Sequence, residues 1–228
     1  MEVVLSLECS TPVCSVALLN RDKVYSLQEE HEQNRHSEIL TILIQKCLQE
    51  SRLSMNDITH VAVSDGPGSY TGLRIGASAA KAICYINKVP LIALSSLESM
   101  AGTSKSQLES VHHHLSIIDA RRNDAYAHLI SKDGQVILGT RFLTFDEEFE
   151  AFLGQLYGEM ALSGNATRKF QEKFPQINAI DSHIRSSAVN VQGHIAYMVD
   201  SQSFTDHMTY QPNYINPPNI TKSKKIRF

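Results

Sequence analysis

Three short β-patterned stretches open the chain, each closed by a turn signal. Val3 to Glu8 is apolar and β-rich, Val13 to Leu19 follows the Cys9-Ser-Thr-Pro turn, and Lys23 to Gln28 alternates after Asn20-Arg-Asp22. Strands joined this tightly predict an antiparallel meander. The apolar period then changes. Between His36 and Ser51, positions Ile39, Leu40, Ile42, Leu43, Ile44, Cys47 and Leu48 are apolar, which predicts a helix with Ser37 as cap. Its stripe is broader than one core-facing side needs. His60 to Ser64 predicts a buried strand ending at Asp65-Gly-Pro-Gly68, and Thr71 to Ile86 a second helix rich in small residues. Pro90 to Leu94 predicts a fifth strand, and Ser95 and Ser96 cap a short third helix through Met100.

The second half repeats this order more weakly. Leu115 to Asp119, Ala125 to Ile130 and Val136 to Leu143 predict strands, the last two joined by Ser131-Lys-Asp-Gly134. A helix over Asp146 to Leu156, a strand at Met160 to Ser163, a helix over Thr167 to Phe174, a strand at Ile177 to Ile180 and a helix over Val189 to Val199 follow. Two successive βββαβα units predict an α/β fold of two lobes with a cleft between them. The expected boundaries are residues 1–103 and 104–203, with helix 189–199 able to pack back on the first lobe. An extended tail spans 204–228, where Pro212, Pro217 and Pro218 interrupt any periodicity.

Composition narrows the classes. The 228 residues exceed one average domain, and 42% hydrophobic with 20% charged describes a globular chain. Net charge is −3, but Lys222, Lys224, Lys225 and Arg227 crowd the last seven residues without an acid. Setting these four aside leaves 17 cations against 24 acids, a body near −7, which argues against free-standing nucleic-acid binding. No apolar run approaches the ~18 residues of a membrane span, so no membrane is expected. The start carries no basic leader, and Cys9, Cys14, Cys47 and Cys84 form no Cys-x-x-Cys pair. Reduced thiols in the cytoplasm are expected.

Three places offer chemistry. Asp65 to Gly76 reads DGPGSYTGLRIG, with Gly66, Gly68, Gly72 and Gly76 between a strand and a helix. Such a turn lets backbone N–H groups approach an anion, at Gly66, Gly68, Ser69 and Thr71. A tight turn without ligand is the other reading, since neither the Walker nor the dinucleotide spacing is present. The same helix carries a ridge of small residues, Gly72, Gly76, Ala80 and Cys84. With Arg74 and Ile83, and with Ile39, Leu40, Leu43 and Cys47 of the preceding helix, it suggests a partner interface; close packing inside the lobe is the alternative. The turn Glu8-Cys-Ser-Thr11 offers the Ser10 and Thr11 hydroxyls to phosphate, with the Glu8 carboxylate beside them, or is a plain hairpin. Asp119-Ala-Arg-Arg122 ends a strand and points toward the cleft, or braces the lobes as an ion pair.

No metal site or catalytic residue is expected. His112-His113-His114 alternates across a strand, and His31 and His36, five apart, lie roughly 140° apart on a helix. No G-x-S-x-G elbow is present.

Leu7-Glu-Cys-Ser-Thr11, Cys14-Ser-Val-Ala17, His36-Ser-Glu38, Gly66 to Gly76, Ser95-Ser-Leu-Glu98 and Asp119-Ala-Arg121, in this order, resemble the TsaB (YeaZ) family. The resemblance covers residues 1–130 and thins beyond. It implies the actin-like ATPase (ASKHA) fold, two ribonuclease-H-like lobes with duplicated βββαβα topology. It further implies an accessory subunit without catalysis of its own, paired through N-terminal-lobe helices with the catalytic paralogue TsaD. With the ATPase TsaE, such a pair transfers threonylcarbamoyl to the adenosine adjacent to the anticodon of tRNAs reading codons that begin with A. The isolated subunit would homodimerise through the same helices and meet tRNA only through the complex. ATP or ADP at the interface with TsaD stays open.

The chain departs in four places from the pattern of the family, of the catalytic paralogue or of active actin-like ATPases. Glu8 stands where Asp is usual, His31 and His36 replace the paralogue's His-x-x-x-His pair, Asp119 is followed by Ala120 and Arg121 where glycine would admit phosphate, and Gly164-Asn-Ala166 replaces Gly-Asp-Gly. ATP hydrolysis by this chain alone is therefore not expected. A stand-alone kinase or ATPase using Ser10, Thr11 and the 66–72 loop is the alternative, and direct tRNA contact by Lys222 to Arg227 a third reading.

Overall fold

The computed structural model describes residues 2–32 and 35–215; the basic cluster at 222–227 lies outside the described residues. The opening meander is β1 (Val4–Glu8), β2 (Cys14–Leu19) and β3 (Val24–Glu30), antiparallel throughout. Helix α1 (His36–Ser51) returns the chain to β4 (His60–Gly66), and α2 (Tyr70–Asn87) carries it to β5 (Leu91–Ser95). These two strands add in parallel, giving a first sheet of order β3-β2-β1-β4-β5. Helix α3 (Ser96–Gln107) then crosses to the second lobe.

There the same construction recurs. Strands β6 (His113–Asp119), β7 (Asp124–Ser131) and β8 (Val136–Thr144) form a second meander. Helix α4 (Glu147–Leu153), β9 (Met160–Ser163), α5 (Thr167–Lys173) and β10 (Ala179–Asp181) follow. The order β10-β9-β6-β7-β8 is the first sheet's order written from the other edge. A short 3₁₀ turn at Ala188–Val191 leads into the last helix, α6 (Gln192–Asp200).

Each sheet is buried by the periodicity that formed it. Leu5, Leu7, Val16, Leu18, Val61 and Val63 face α1 and α2, which contribute Leu40, Leu43, Cys47, Ala77 and Ala80. The opposite face carries Val4, Ala17, Leu19, Ala62 and Ile92, and these pack on Ala188, Val191 and Ile195. The late helix therefore lies on the first sheet, although it follows the whole second lobe in sequence. The second core is aromatic. Phe145 meets Phe170 edge-on at 5.7 Å, with Phe149 and Phe174 beside them. Between lobes, Leu97 and Met100 of α3 meet Ile118 and Ile184.

Element limits differ from the pattern at a few places. Helix α3 continues past Met100 to Gln107, because Ala101 and Ser104 are buried and Ser104 Oγ bonds His114 Nδ1 at 2.9 Å. Small and serine residues gave no apolar period to read there. Helix α4 ends at Leu153 with Gly154 as its C-cap, short of Leu156.

Buried neutral histidines make this packing sensitive to acid. Burial first of all holds His114 down to about pKa 4, and it also lowers His60, His128 and His194. His114 stays neutral in the folded chain down to about pH 4, while its unfolded counterpart takes up a proton below about pH 6.5. Stability is thus full above that pH and is lost as pH falls toward 4. Chemical denaturation should show His114 alone costing roughly 1–2 kcal/mol between pH 7 and pH 5. The variant His114→Asn should have a visibly flatter profile.

Candidate functional site

The turn between β1 and β2 and the glycine loop after β4 are pressed together. Ser69 N donates to the Ser10 carbonyl oxygen at 2.6 Å. A Cβ at Gly68 would be driven into that same carbonyl, and one at Gly72 into the carbonyl of Cys9. Gly76 passes the Cys9 side chain with room for only a 3.3 Å contact to its Cβ. Ser69 Oγ accepts from Gly72 N at 3.2 Å and so caps α2. The Gly66–Pro67 peptide is cis.

Most polar groups of the turn bond within the protein. Glu8 is 6% exposed; its carboxylate accepts from Ser10 N at 2.7 Å and from Ser96 Oγ at 2.8 Å. The Ser10 hydroxyl lies 3.3 Å from that of Ser186, and His36 Nε2 lies 3.0 Å from the Thr11 carbonyl oxygen. Thr11 Oγ1 is buried without a hydrogen-bond partner among the described residues. Ser15 Oγ accepts from Ala188 N at 2.9 Å, and Ser187 Oγ donates to Glu29 at 2.7 Å. Between β1, β4 and residues 187–191 remains a cavity of ≈ 20 Å³, beside Glu8, Ser64 and Ser99. That holds about one water, whereas small-ligand sites enclose several hundred Å³. At the glycine loop itself, the carbonyl oxygens of Ser10 and Cys9 occupy the space next to Gly68 and Gly72.

Two expected members of the phosphate set stand elsewhere. Thr71 lies on the outer surface beside α1. Asp119 belongs to the second lobe alone, where it pairs with Lys169 Nζ at 2.7 Å and its amide is capped by Asn165 Oδ1 at 2.8 Å. Its ion pair lies within the second lobe and does not brace the two lobes; its neighbour Ile118 packs against Leu97 and Met100 instead. Gly164 repeats the first lobe's device, with a φ of +101° and its Cα set against the Ile117 carbonyl.

The small-residue ridge is also relocated by the structure. Gly72, Gly76, Ala80 and Cys84 are buried against the lobe's own sheet, as are Ile39, Leu43 and Cys47 of α1. Cys47 Sγ even donates to the Val16 carbonyl at 3.2 Å. Their apolar surface is consumed within the lobe and faces no partner. What faces outward is a groove of ≈ 530 Å³ between α1 and α2, lined by Leu40, Thr41, Tyr70, Arg74, Ile75 and Ser78 among others. Further along the pair, Ile42 on α1 and Tyr85 and Ile86 on α2 are exposed, the last two by 67% and 73%. Ile83 sits half-buried behind them.

The histidines are individually engaged. His113 Nε2 lies 3.0 Å from the Tyr157 carbonyl, His114 turns inward, and His31 lies 3.7 Å from Glu29. Among the described residues no group of three His, Cys, Asp or Glu side chains is placed to hold a metal. No described helix is long and apolar enough to cross a membrane.

The periodic pattern missed the segment 204–215, which straps the first lobe. Thr205 N donates to Leu91 O at 2.8 Å and covers the free edge of β5. Tyr210 enters the core, its carbonyl accepting from Lys81 Nζ at 3.0 Å. Asn213 N donates to the Asp65 carbonyl at 2.9 Å, directly over the glycine loop. Burial raises the Asp65 carboxyl above its ordinary value. The only signal in the sequence is Tyr210 and Tyr214 flanking Pro212.

Comparisons with known proteins agree on one family. A family model described as TsaD, tRNA N6-adenosine threonylcarbamoyltransferase, matches residues 25–223. The chain belongs to this family, as a TsaB (YeaZ) member. It is 35% identical over 122 residues to a tRNA threonylcarbamoyladenosine biosynthesis protein TsaB of Haemophilus influenzae, covering 54% of this chain and 51% of that one. The chain spans about half the length of the curated relatives it matches. YeaZ from Pseudomonas aeruginosa superposes with a TM-score of 0.78 at 20% identity, over 94% of this chain and 100% of that one. The activator of the 2-hydroxyisocaproyl-CoA dehydratase from Clostridium difficile superposes with a TM-score of 0.51 at 10% identity, over 88% and 96%. The fold of this TsaB-family chain is the two-lobed, actin-like α/β fold.

The close approach of loop and turn is testable. Gly72→Ala should destabilise the chain by about 3 kcal/mol, because helix α2 must lift off the Cys9 carbonyl to admit one methyl group. Ser78→Ala, on the outer face of the same helix, should leave the thermal midpoint within a degree or two.

Proposed function

We propose that the chain is a non-catalytic, activating subunit of tRNA threonylcarbamoyladenosine biosynthesis. It acts by heterodimerising with TsaD through the outer face of α1 and α2. The observation that carries this reading is the open, partly apolar groove on the outer face of the α1–α2 pair. The cavity beneath residues 187–191 on the first sheet is ≈ 20 Å³, while the α1–α2 groove is ≈ 530 Å³, and Tyr85 and Ile86 are exposed on the same α2 helix. Exposed apolar side chains grouped along a helix pair favour docking against another helix pair. The names of the TsaB relatives and of the TsaD family model support the pathway and the partner.

The geometry also speaks for a division of labour. His31 and His36 do not converge: His36 is buried on the Thr11 carbonyl and His31 pairs with Glu29. The reading therefore leaves the transfer chemistry, and the ATPase TsaE, to other subunits. Without TsaD, the same apolar face would close on a second copy. The alternative of a stand-alone kinase or ATPase is disfavoured by Ser10 O and Cys9 O filling the glycine loop. Any ATP or ADP would be held at the surface shared with TsaD, and tRNA would be met through the complex.

Ser78→Arg and Thr41→Arg place bulk in the groove without touching the core. Each should weaken association with TsaD at least tenfold and shift the isolated chain toward monomer, with an unchanged thermal midpoint. Native association of both variants would sink the reading. Calorimetry of the isolated chain with ATP and magnesium should show no tight binding; strong binding with turnover would restore the kinase alternative.

A further inference from the structure

We propose that the C-terminal strap shapes the docking groove: Tyr214, packed against the groove-lining Tyr70, holds Arg74 where it takes a carboxylate from the partner's docked helix. This deepens the proposed function and rests on its reading of the α1–α2 face.

Tyr70 is the first residue of α2, and two groups set its ring. Tyr214 packs against it at a tilt of 39°, with centroids 4.6 Å apart. The Arg74 guanidinium lies 5.3 Å from the same ring, and its Nη1 donates to the Tyr70 hydroxyl at 3.2 Å. The Tyr214 hydroxyl is raised chiefly by burial, and the Arg74 charge acts on it in the opposite direction. The three side chains thus form one contiguous cluster, of which Tyr70 and Arg74 line the groove.

Tyr214 is placed by the strap and not by α2. Its neighbour Asn213 is bonded to Asp65, and Tyr210 is locked in the core three residues earlier. The strap spends its backbone hydrogen bonds in fixing a single ring beside the interface.

Arg74 has what a recognition cation needs. It is exposed, and no carboxylate among the described residues lies within ion-pair distance. One of its donors goes to Tyr70, which leaves a planar fork for a carboxylate. The rest of the groove lining is hydroxyl and apolar, so the fitting occupant is a TsaD helix with apolar side chains and one Asp or Glu opposite Arg74. A guanidinium pre-set on an aromatic face loses less freedom on pairing than a free one.

Binding to TsaD measured at two salt concentrations tests this. Arg74→Ala should weaken binding about tenfold and flatten its salt dependence. Tyr214→Ala should weaken it several-fold, Tyr214→Phe should match the native chain, and Arg74→Ala with Tyr214→Ala together should bind no worse than Arg74→Ala alone. Tyr214→Leu, which keeps bulk without the ring face, should behave as Tyr214→Ala and guards against a loss caused by a detached strap. Native affinity in Tyr214→Ala and Tyr214→Leu, or additive losses in the double variant, would overturn the inference. The two readings fail differently. If Ser78→Arg blocks binding while Arg74 and Tyr214 variants bind natively, only the strap's role is lost; if Ser78→Arg also binds natively, the face itself is wrong.

Discussion

The carbonyl oxygens of Cys9 and Ser10 stand where side chains at positions 72 and 68 would otherwise be. Because both positions are glycine, α2 starts in contact with the β1–β2 turn, and Ser69 bonds both that turn and its own helix. The height of α2 over the sheet follows from this contact. From that height follow the burial of Gly76, Ala80 and Cys84, the width of the groove toward α1, and the line along which residues 204–215 cross the loop. A single methyl group at the contact would propagate through all of them, since packed interiors take up added volume poorly.

The second lobe keeps the device in reduced form, with Gly164 against Ile117 and Asn165 capping the Asp119 amide. In an actin-like fold, two such glycine turns facing one cleft are where an anion could be cradled. Here each turn grips its own lobe, and the Ser186–Ala188 segment bonds the first lobe through Ser10, Ser15 and Glu29. Interaction capacity is left on the outside, where α1 and α2 run side by side.

Much of the fold was legible because its period is plain. The meanders, the α1 limits of His36–Ser51 and the strand Met160–Ser163 follow from alternation and turn residues alone. The glycine loop was visible as unusual, but its reason was not. Glycine spaced for a phosphate and glycine spaced for a neighbouring carbonyl look alike, and only the position of Ser10 separates them. The ridge Gly72-Gly76-Ala80-Cys84 misled for the same reason, since small residues admit a close neighbour without naming it. The strap was legible only as an extended segment with two tyrosines, because segments held by main-chain bonds need no periodicity.

The sequence by itself determined the local elements, the duplicated order of strands and helices, and the family motifs, because these depend on side-chain period, turn chemistry and residue identity over short spans. Tertiary structure alone decided which surface is spent and which is free. Whether Leu43 or Arg74 faces outward, whether Glu8 meets a ligand or Ser96, and whether the last helix serves the first lobe or the second depend on residues far apart in the chain. Burial is a property of the assembled neighbours, and those neighbours are set only when the sheets close.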